Sequence, residues 1–427
     1  MNTPILSLTP HPVNYKRLSI IIFFDLAISG NYVIIKSEMY RGVVMIHLLL
    51  PIIYLAFISL GLPDGLLGAA WPSMYPQLQI PVSYAGIVSI IICVGTIVSS
   101  LLSDRLTHKL GSGMVTGISV AMTAVALLGF SFSRSFWMLC LWSLPYGLGA
   151  GSVDASLNNY VALHYPSRHM SWLHCMWGVG ASVGPYIMGY LLAGGQPWSR
   201  GYLYIGIAQI VLSAIILLSL PLWKKTGQDQ DTQPLPLMQV LRIPGARQVM
   251  ISFFCYCALE QTAALWSASY FHLHGGFSAE TAATLGSLFF LGITTGRAIS
   301  GFVSIKLNDT AMIHLGFGII FGGIVLLLLP LAYFGAVVGI LLIGFGCAPI
   351  YPCMMHATPE LFGATRSQAF MGVQTASAYV GTALMPPLFG LIANHISISL
   401  MGIFLLVMLV CMILSHQKLT LNCKKSA

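Results

Sequence analysis

Three carboxylic acids, Asp64, Asp154 and Glu260, fall inside stretches of sequence otherwise apolar enough to sit in lipid. An ionised carboxylate is expensive there unless it is hydrated or paired, so intramembrane acids usually serve a function. Removal from water favours the neutral form. Each acid can therefore bind and release a proton as its exposure changes, which is the chemistry of proton-coupled transport.

The neighbours of these acids sharpen that reading. Asp154 and Asn158 are one helical turn apart and share a face with Gly147 and Gly151. Such a narrow polar stripe reads either as a cavity wall or as a small-residue helix contact with Asp154 bonded across it. Asp64 lies in Gly61-Leu62-Pro63-Asp64-Gly65, where Pro63 removes a backbone donor and the glycines loosen the helix, freeing carbonyls to face a solute. Glu260 with Gln261 reads similarly, or as a Glu snorkelling toward water. His174 can exchange a proton or donate a hydrogen bond, and Trp177 and Trp266 offer apolar ring faces on which a sugar can stack, or act as packing. Gln374 and Ser377, a turn apart, are weaker solute-binding candidates. Arg297, next to Gly296, reads as gating or structural, either snorkelling to the headgroups or pairing with a neighbouring carboxylate.

The elements that must position these side chains are membrane helices. Of 427 residues, 57% are hydrophobic and 7% charged, against about a quarter charged in soluble domains. Windows of the roughly 20 apolar residues needed to span a bilayer recur along the chain. They predict helices near 43–70, 84–103, 113–132, 135–160, 170–193, 201–222, 248–272, 281–304, 311–330, 333–354, 366–393 and 397–414. The length of the first window predicts a turn outside the bilayer. The fold class is an all-α membrane protein of about twelve transmembrane helices in two pseudo-symmetric six-helix bundles. Residues 43–222 form the first bundle, 223–247 a linker with Pro234, Pro236 and Pro244, 248–416 the second bundle, and 417–427 a tail.

The formal charge of +8 is spread over short loops, with no basic tract for nucleic acid. It reads as topology. Loops after even-numbered helices and the tail carry Arg105, Lys109, Arg168, Lys224, Lys225, Arg242, Arg247, Lys306, Arg366, Lys418, Lys424 and Lys425, whereas loops after odd-numbered helices carry only Arg134 and Arg200. The positive-inside rule then makes both termini cytoplasmic and places the protein in the cell membrane as a multi-pass chain. The halves repeat weakly at an offset of about 200 residues. Asp64 and Trp71 answer to Glu260 and Trp266, Gly147-Leu148-Gly149 to Gly344-Phe345-Gly346, and Arg168 to Arg366. Residues 1–42 form a poorly defined leader, which lacks the small-residue cleavage site of a signal peptide. The cysteines show neither a disulfide framework nor zinc spacing, and no cofactor is expected.

Helix 2 ends in Gly95-Thr-Ile-Val-Ser-Ser100-Leu-Leu-Ser103-Asp104-Arg105-Leu-Thr-His-Lys109-Leu-Gly111. This resembles the loop 2–3 motif of the major facilitator superfamily, although Ser100 stands where the motif has Gly. The resemblance implies that Asp104, Arg105 and Lys109 lock a cytoplasmic gate. Gly61-Leu-Pro-Asp64-Gly, Gly149-Ala-Gly-Ser-Val-Asp154-Ala-Ser-Leu-Asn158-Asn159, Leu173-His174-Cys-Met-Trp177-Gly178 and Gly184-Pro185 are similar to the fucose/galactose/glucose proton symporter branch. That likeness implies sugar substrates, and a pair of acids at Asp64 and Asp154 that handles proton and solute.

The expectation is thus a monomeric secondary transporter, not an enzyme, taking up a sugar or similar small polar solute with protons. Antiport efflux of drugs or metabolites uses the same fold and the same acids. An intramembrane aspartyl protease is a remote rival, since neither Asp64 nor Asp154 sits in a Tyr-Asp or Gly-x-Gly-Asp context, and a non-transporting sensor is another. No His-Glu-x-x-His site or phosphate loop is present.

Overall fold

The computed structural model describes residues 49–81, 84–223, 235–329 and 331–426, with side chains at all of these except 279, 280, 283, 332 and 422–426. The expected leader, the start of the first predicted helix and linker residues Lys224, Lys225 and Pro234 lie outside the described residues.

The described chain is helical throughout, with no strand among the described residues. Its long helices are α1 (Leu49–Gln77), α2 (Ala85–Leu110), α3 (Ser112–Phe132), α4 (Phe136–His164), α5 (Ser167–Ala193), α6 (Trp198–Leu218), α7 (Ala246–Leu273), α8 (Ala279–Val303), α9 (Asp309–Leu328), α10 (Ala332–His356), α11 (Ser367–Ile392) and α12 (Met401–Ser426). Nine segments among the described residues are long and apolar enough to cross a bilayer, the last of them covering both α11 and α12. The two long helices outside these segments are α4 and α5. They carry Asp154, Asn158 and His174, the polar groups that dilute their hydropathy.

Glycine positions set the packing. A Cβ on Gly147 would lie 2.2 Å from the Ile92 carbonyl of α2, and one on Gly149 2.6 Å from the Ser119 carbonyl of α3. In the second half, a Cβ on Gly344 would lie 2.2 Å from the Phe289 carbonyl of α8, and one on Gly346 2.8 Å from the Gly316 carbonyl of α9. The weak sequence repeat is therefore a packing repeat. In each half one central helix is pressed between two neighbours through a Gly-x-Gly pair, as small residues permit in membranes.

The halves meet through α2 against α11 and α5 against α8. Here Ser100 finds its explanation. A Cβ on Gly372 of α11 would sit 2.2 Å from the Ser100 carbonyl, so the opposing helix supplies the small residue. The Ser100 hydroxyl turns back to the Ile97 carbonyl at 2.9 Å.

Two boundaries differ from expectation. The turn in the first window lies within α1, at residues 62–65, because Pro63 cannot continue the hydrogen-bond ladder. The expected tail is instead helical, since α12 runs on to Ser426 with Leu419 buried.

Candidate functional site

Pro63 shapes the site. Lacking an N–H, it leaves the Ser59 carbonyl without its intrahelical donor, and Gln209 of α6 donates to that carbonyl through Nε2 at 2.7 Å. The Gln209 Oε1 in turn accepts from the Thr123 hydroxyl at 2.7 Å. Beyond the break, Asp64 is exposed. Its Oδ2 accepts from Trp177 Nε1 at 2.8 Å and its Oδ1 from the Tyr146 hydroxyl at 3.3 Å. The Trp177 ring also touches Arg297 of α8, so the Asp64 carboxylate is linked through Trp177 to the second half.

Asp154 is buried where α4 meets α11. Its Oδ1 accepts from Asn158 Nδ2 at 2.8 Å and its Oδ2 from the Thr375 hydroxyl at 3.4 Å. With its amide nitrogen committed to Asp154, Asn158 presents Oδ1 to His174 Nε2 at 3.1 Å. An acceptor there requires the proton on Nε2, which fixes the histidine tautomer. The His174 ring is held edge-on by Phe57 and Tyr351, with centroids 5.4 and 5.1 Å away. Tyr379 of α11 lies within electrostatic reach of both aspartates.

The α4 stripe is a small-residue helix contact with Asp154 bonded across to a neighbouring helix. Gly147 and Gly151 form a close contact with α2, where a Cβ on Gly151 would be 2.1 Å from the Thr96 carbonyl. Asp154 and Asn158 point instead into the relay toward α11 and α5.

Glu260 stands in a different environment. Among the described residues neither Asp64 nor Asp154 has a cationic partner, whereas Glu260 Oε2 lies 3.8 Å from Arg297 Nη2. Arg297 does not snorkel to the headgroups. It is 4% exposed, donates to the His174 carbonyl at 3.5 Å and lies 5.2 Å from the centre of the Trp177 ring. Gln261 reaches Glu260 only at 3.5 Å. Two expected solute contacts fall outside the cluster. Gln374 is fully buried and exchanges hydrogen bonds with Thr358, and Trp266 donates to the Pro386 carbonyl at 3.0 Å and packs on Phe389.

Inter-half bonds gather at the end where α4 and α10 finish. The Ser367 hydroxyl meets Asn159, Gln368 Nε2 donates to the Ser103 hydroxyl at 3.3 Å, and Trp172 Nε1 donates to the Ala298 carbonyl at 3.4 Å. His356 bridges Asp309 Oδ2, at 2.6 Å from Nδ1, and the Tyr165 carbonyl, at 3.1 Å from Nε2, while the Ser167 hydroxyl bonds to Asp309. Asp104 accepts from the Leu235 amide at 3.0 Å and lies 3.6 Å from His108, so it ties the returning linker to α2. Arg105 and Lys109 are exposed.

Gln209, Tyr146, Thr375 and the His356–Asp309 pair are participants that the sequence did not single out. Gln209 carried a visible signal, an amide alone in the apolar run of α6. The others depend on contacts between distant helices.

A polytopic helical protein of two similar halves, bonded to each other at one end and with one exposed acid, Asp64, has the form of a membrane carrier. The Major Facilitator Superfamily profile matches residues 53–370 and 276–418. The chain belongs to that superfamily. An uncharacterised transporter of Sinorhizobium fredii is 23% identical over 346 residues, covering 78% of this chain and 88% of that protein. Bypass of stop codon protein 6 of Saccharomyces cerevisiae is 23% identical over 293 residues, covering 62% of this chain and 59% of the yeast protein. Among solved structures, FucP in the outward conformation has a TM-score of 0.69 at 13% identity, covering 86% of this chain and 98% of that one. The human organic anion transporter TETRAN has a TM-score of 0.63 at 16% identity, covering 89% and 98%. These two likenesses are of fold.

Proposed function

We propose that the chain is a proton-coupled symporter that takes up a sugar or similar small polar solute by alternating access. The observation that carries this reading is that Asp64 and Asp154 lie in the interior without a cationic partner among the described residues, one exposed between the halves and the other buried behind it. A carboxylate so placed is neutral when occluded and charged when wetted, so its proton follows the conformational cycle.

Asp64 takes the proton first, because it is the reachable acid. Trp177 and Tyr146 hold its two oxygens and fix its direction. Asp154, Asn158 and His174 form the inner relay, and Thr375 couples Asp154 to the second half. Solute binds between the halves against Trp177, with Asn158, His174 and Gln261 as polar partners. The basic residues Arg105, Lys109, Arg168, Arg366 and Lys418 mark the closed end as cytoplasmic, so the conformation is outward-facing. The described relative FucP of Escherichia coli, named a fucose:proton symporter, supports the choice of symport through its shared fold, with a TM-score of 0.69. The halves divide at the linker 223–247, the carrier works as a monomer in the cytoplasmic membrane, and both termini face the cytoplasm.

Uptake of labelled sugars into proteoliposomes with an imposed pH gradient tests this. Accumulation is expected with the inside alkaline. Unchanged gradient-driven uptake in Asp64→Asn and Asp154→Asn together excludes coupling through these acids.

A further inference from the structure

The Arg297–Glu260 pair is poorly made for a buried ion pair. The side chains are 5% and 9% exposed, yet their nearest charged atoms are 3.8 Å apart, beyond hydrogen-bond reach. Among the described residues, Nε of Arg297 and Oε2 of Glu260 have no hydrogen-bond partner. The contacts from Arg297 Nη1 to the His174 carbonyl and from Gln261 to Glu260 Oε1 are long, at 3.5 Å each, and the Tyr256 hydroxyl, which donates to the Cys347 carbonyl at 3.1 Å, is shared between the two charges. Two charges taken out of water are offset only by close geometry with every donor and acceptor met. The other titratable groups around the pair are Tyr256 and Cys257 of α7, Cys347 of α10, and His174 and Cys175 of α5. None of them is a second carboxylate.

A guanidinium with an idle Nε–H edge, lying over an aromatic ring between two halves of a carrier, lacks a planar group with two acceptor oxygens. We propose that the transported solute carries a carboxylate, which takes the Nε and Nη2 edge of Arg297 and displaces Glu260. This rests on the transport reading above and narrows it from a small polar solute to a carboxylate-bearing one of sugar size, such as a sugar acid. Displaced from its cation, Glu260 is a buried carboxylate without a counter-charge, which a proton entering with the solute offsets. One carboxylate and one proton then enter together, and the charge buried between the halves stays constant, which avoids the cost of an added charge in the membrane. Trp177 supplies the apolar wall beside the guanidinium and, through Asp64, links the anion site to the outer acid.

The test uses purified full-length protein, with D-gluconate, D-glucuronate and lactate compared with glucose and galactose. Thermal protection is measured near pH 5.5 and near pH 7.5, and proton-driven uptake is measured in liposomes. At least one carboxylate should bind about tenfold more tightly at the lower pH and outcompete the hexoses. Glu260→Gln should bring its affinity near pH 7.5 to within about twofold of that near pH 5.5, because the competing charge is gone. Arg297→Lys keeps the balancing charge and thus the fold, but loses the two-pronged edge, so carboxylate affinity should fall about tenfold. Binding and uptake of hexoses without carboxylates, or equal responses to glucose and glucuronate, would overturn the anion inference and leave the transporter reading standing. An unaltered pH ratio in Glu260→Gln would also overturn it. If no solute of either kind is bound or carried, both readings fail.

Discussion

Gln209 gives the strictest test of how the α1 break is held. Replacing it by Leu preserves approximate volume and removes the donor that meets the Ser59 carbonyl at 2.7 Å in the native protein. A buried acceptor left unmet costs about 1–3 kcal/mol. The Thr123 hydroxyl also loses a partner but keeps its second contact, the Val120 carbonyl at 2.9 Å, so the Ser59 carbonyl carries most of the loss. The carbonyl is an orphan only because residue 63 is proline. In Pro63→Ala the backbone regains the N–H that can close the ladder from residue 63 to Ser59, as Leu62 already does to Ile58 at 2.9 Å. Gln209→Leu should therefore destabilise the native chain by about 1–3 kcal/mol and the Pro63→Ala chain by much less, a coupling of about 1–2 kcal/mol. Denaturation in detergent micelles of all four proteins measures the cycle. Additivity within about 0.5 kcal/mol refutes the assignment of Gln209 to the proline-orphaned carbonyl.

Four further outcomes follow from the same geometry. Asp154→Asn should abolish uphill accumulation driven by a pH gradient while sparing equilibrium exchange of solute across liposomes, because the amide keeps the contact to Thr375 but carries no exchangeable charge. Asn158→Ala should mimic it in part by cutting His174 from the relay, read as a weakened pH dependence of uptake. Gly372→Leu places side-chain atoms where a Cβ already stands 2.2 Å from the Ser100 carbonyl, so it should prevent closure of that end and favour labelling of a cysteine introduced beneath the gate. At His356 the carboxylate and the carbonyl both accept, so both bonds form together only while the ring carries two protons. Raising the pH removes one of them, worth about 1 kcal/mol or a roughly fivefold shift toward the open end, and Asp309→Asn should reduce that pH response.

The legible parts of the molecule were those written within one helix. The spacing of Asp154 and Asn158 gave their mutual bond, Pro63 gave a break beside Asp64, and the paired Gly-x-Gly motifs marked the central helix of each half. Arg297 and Glu260 lie on different helices, and their encounter depends on the packing of α7 on α8, which neither local sequence specifies. Gln374 stood among the weaker solute-binding candidates because helical spacing reports a face but not its neighbour. Its actual neighbour is the short Thr358–Phe362 helix. The extension of α12 to Ser426 was hidden because a polar composition ends a membrane window without ending a helix.

The two halves repeat in packing but not in charge. A Cβ on Gly147 or on Gly344 would stand at the same 2.2 Å from the carbonyl of the neighbouring helix, so the two halves are packed alike. Among the described residues the first half presents Asp64 and Asp154 without cations, while in the second half Glu260 is set against Arg297. A symmetric rocking of two bodies changes the surroundings of both sets at once. Only the asymmetric charges can tell one direction from the other, because an uncompensated acid is discharged by a proton and a compensated one by exchange of its partner. On the proposed symport reading, coupling therefore rests on the residues that break the repeat. Neutralising the pair should disturb coupling more than it disturbs the fold, and comparing thermal stability with gradient-driven uptake in a Glu260→Gln, Arg297→Gln chain separates the two. A loss of fold equal to the loss of uptake would place the asymmetry in packing after all.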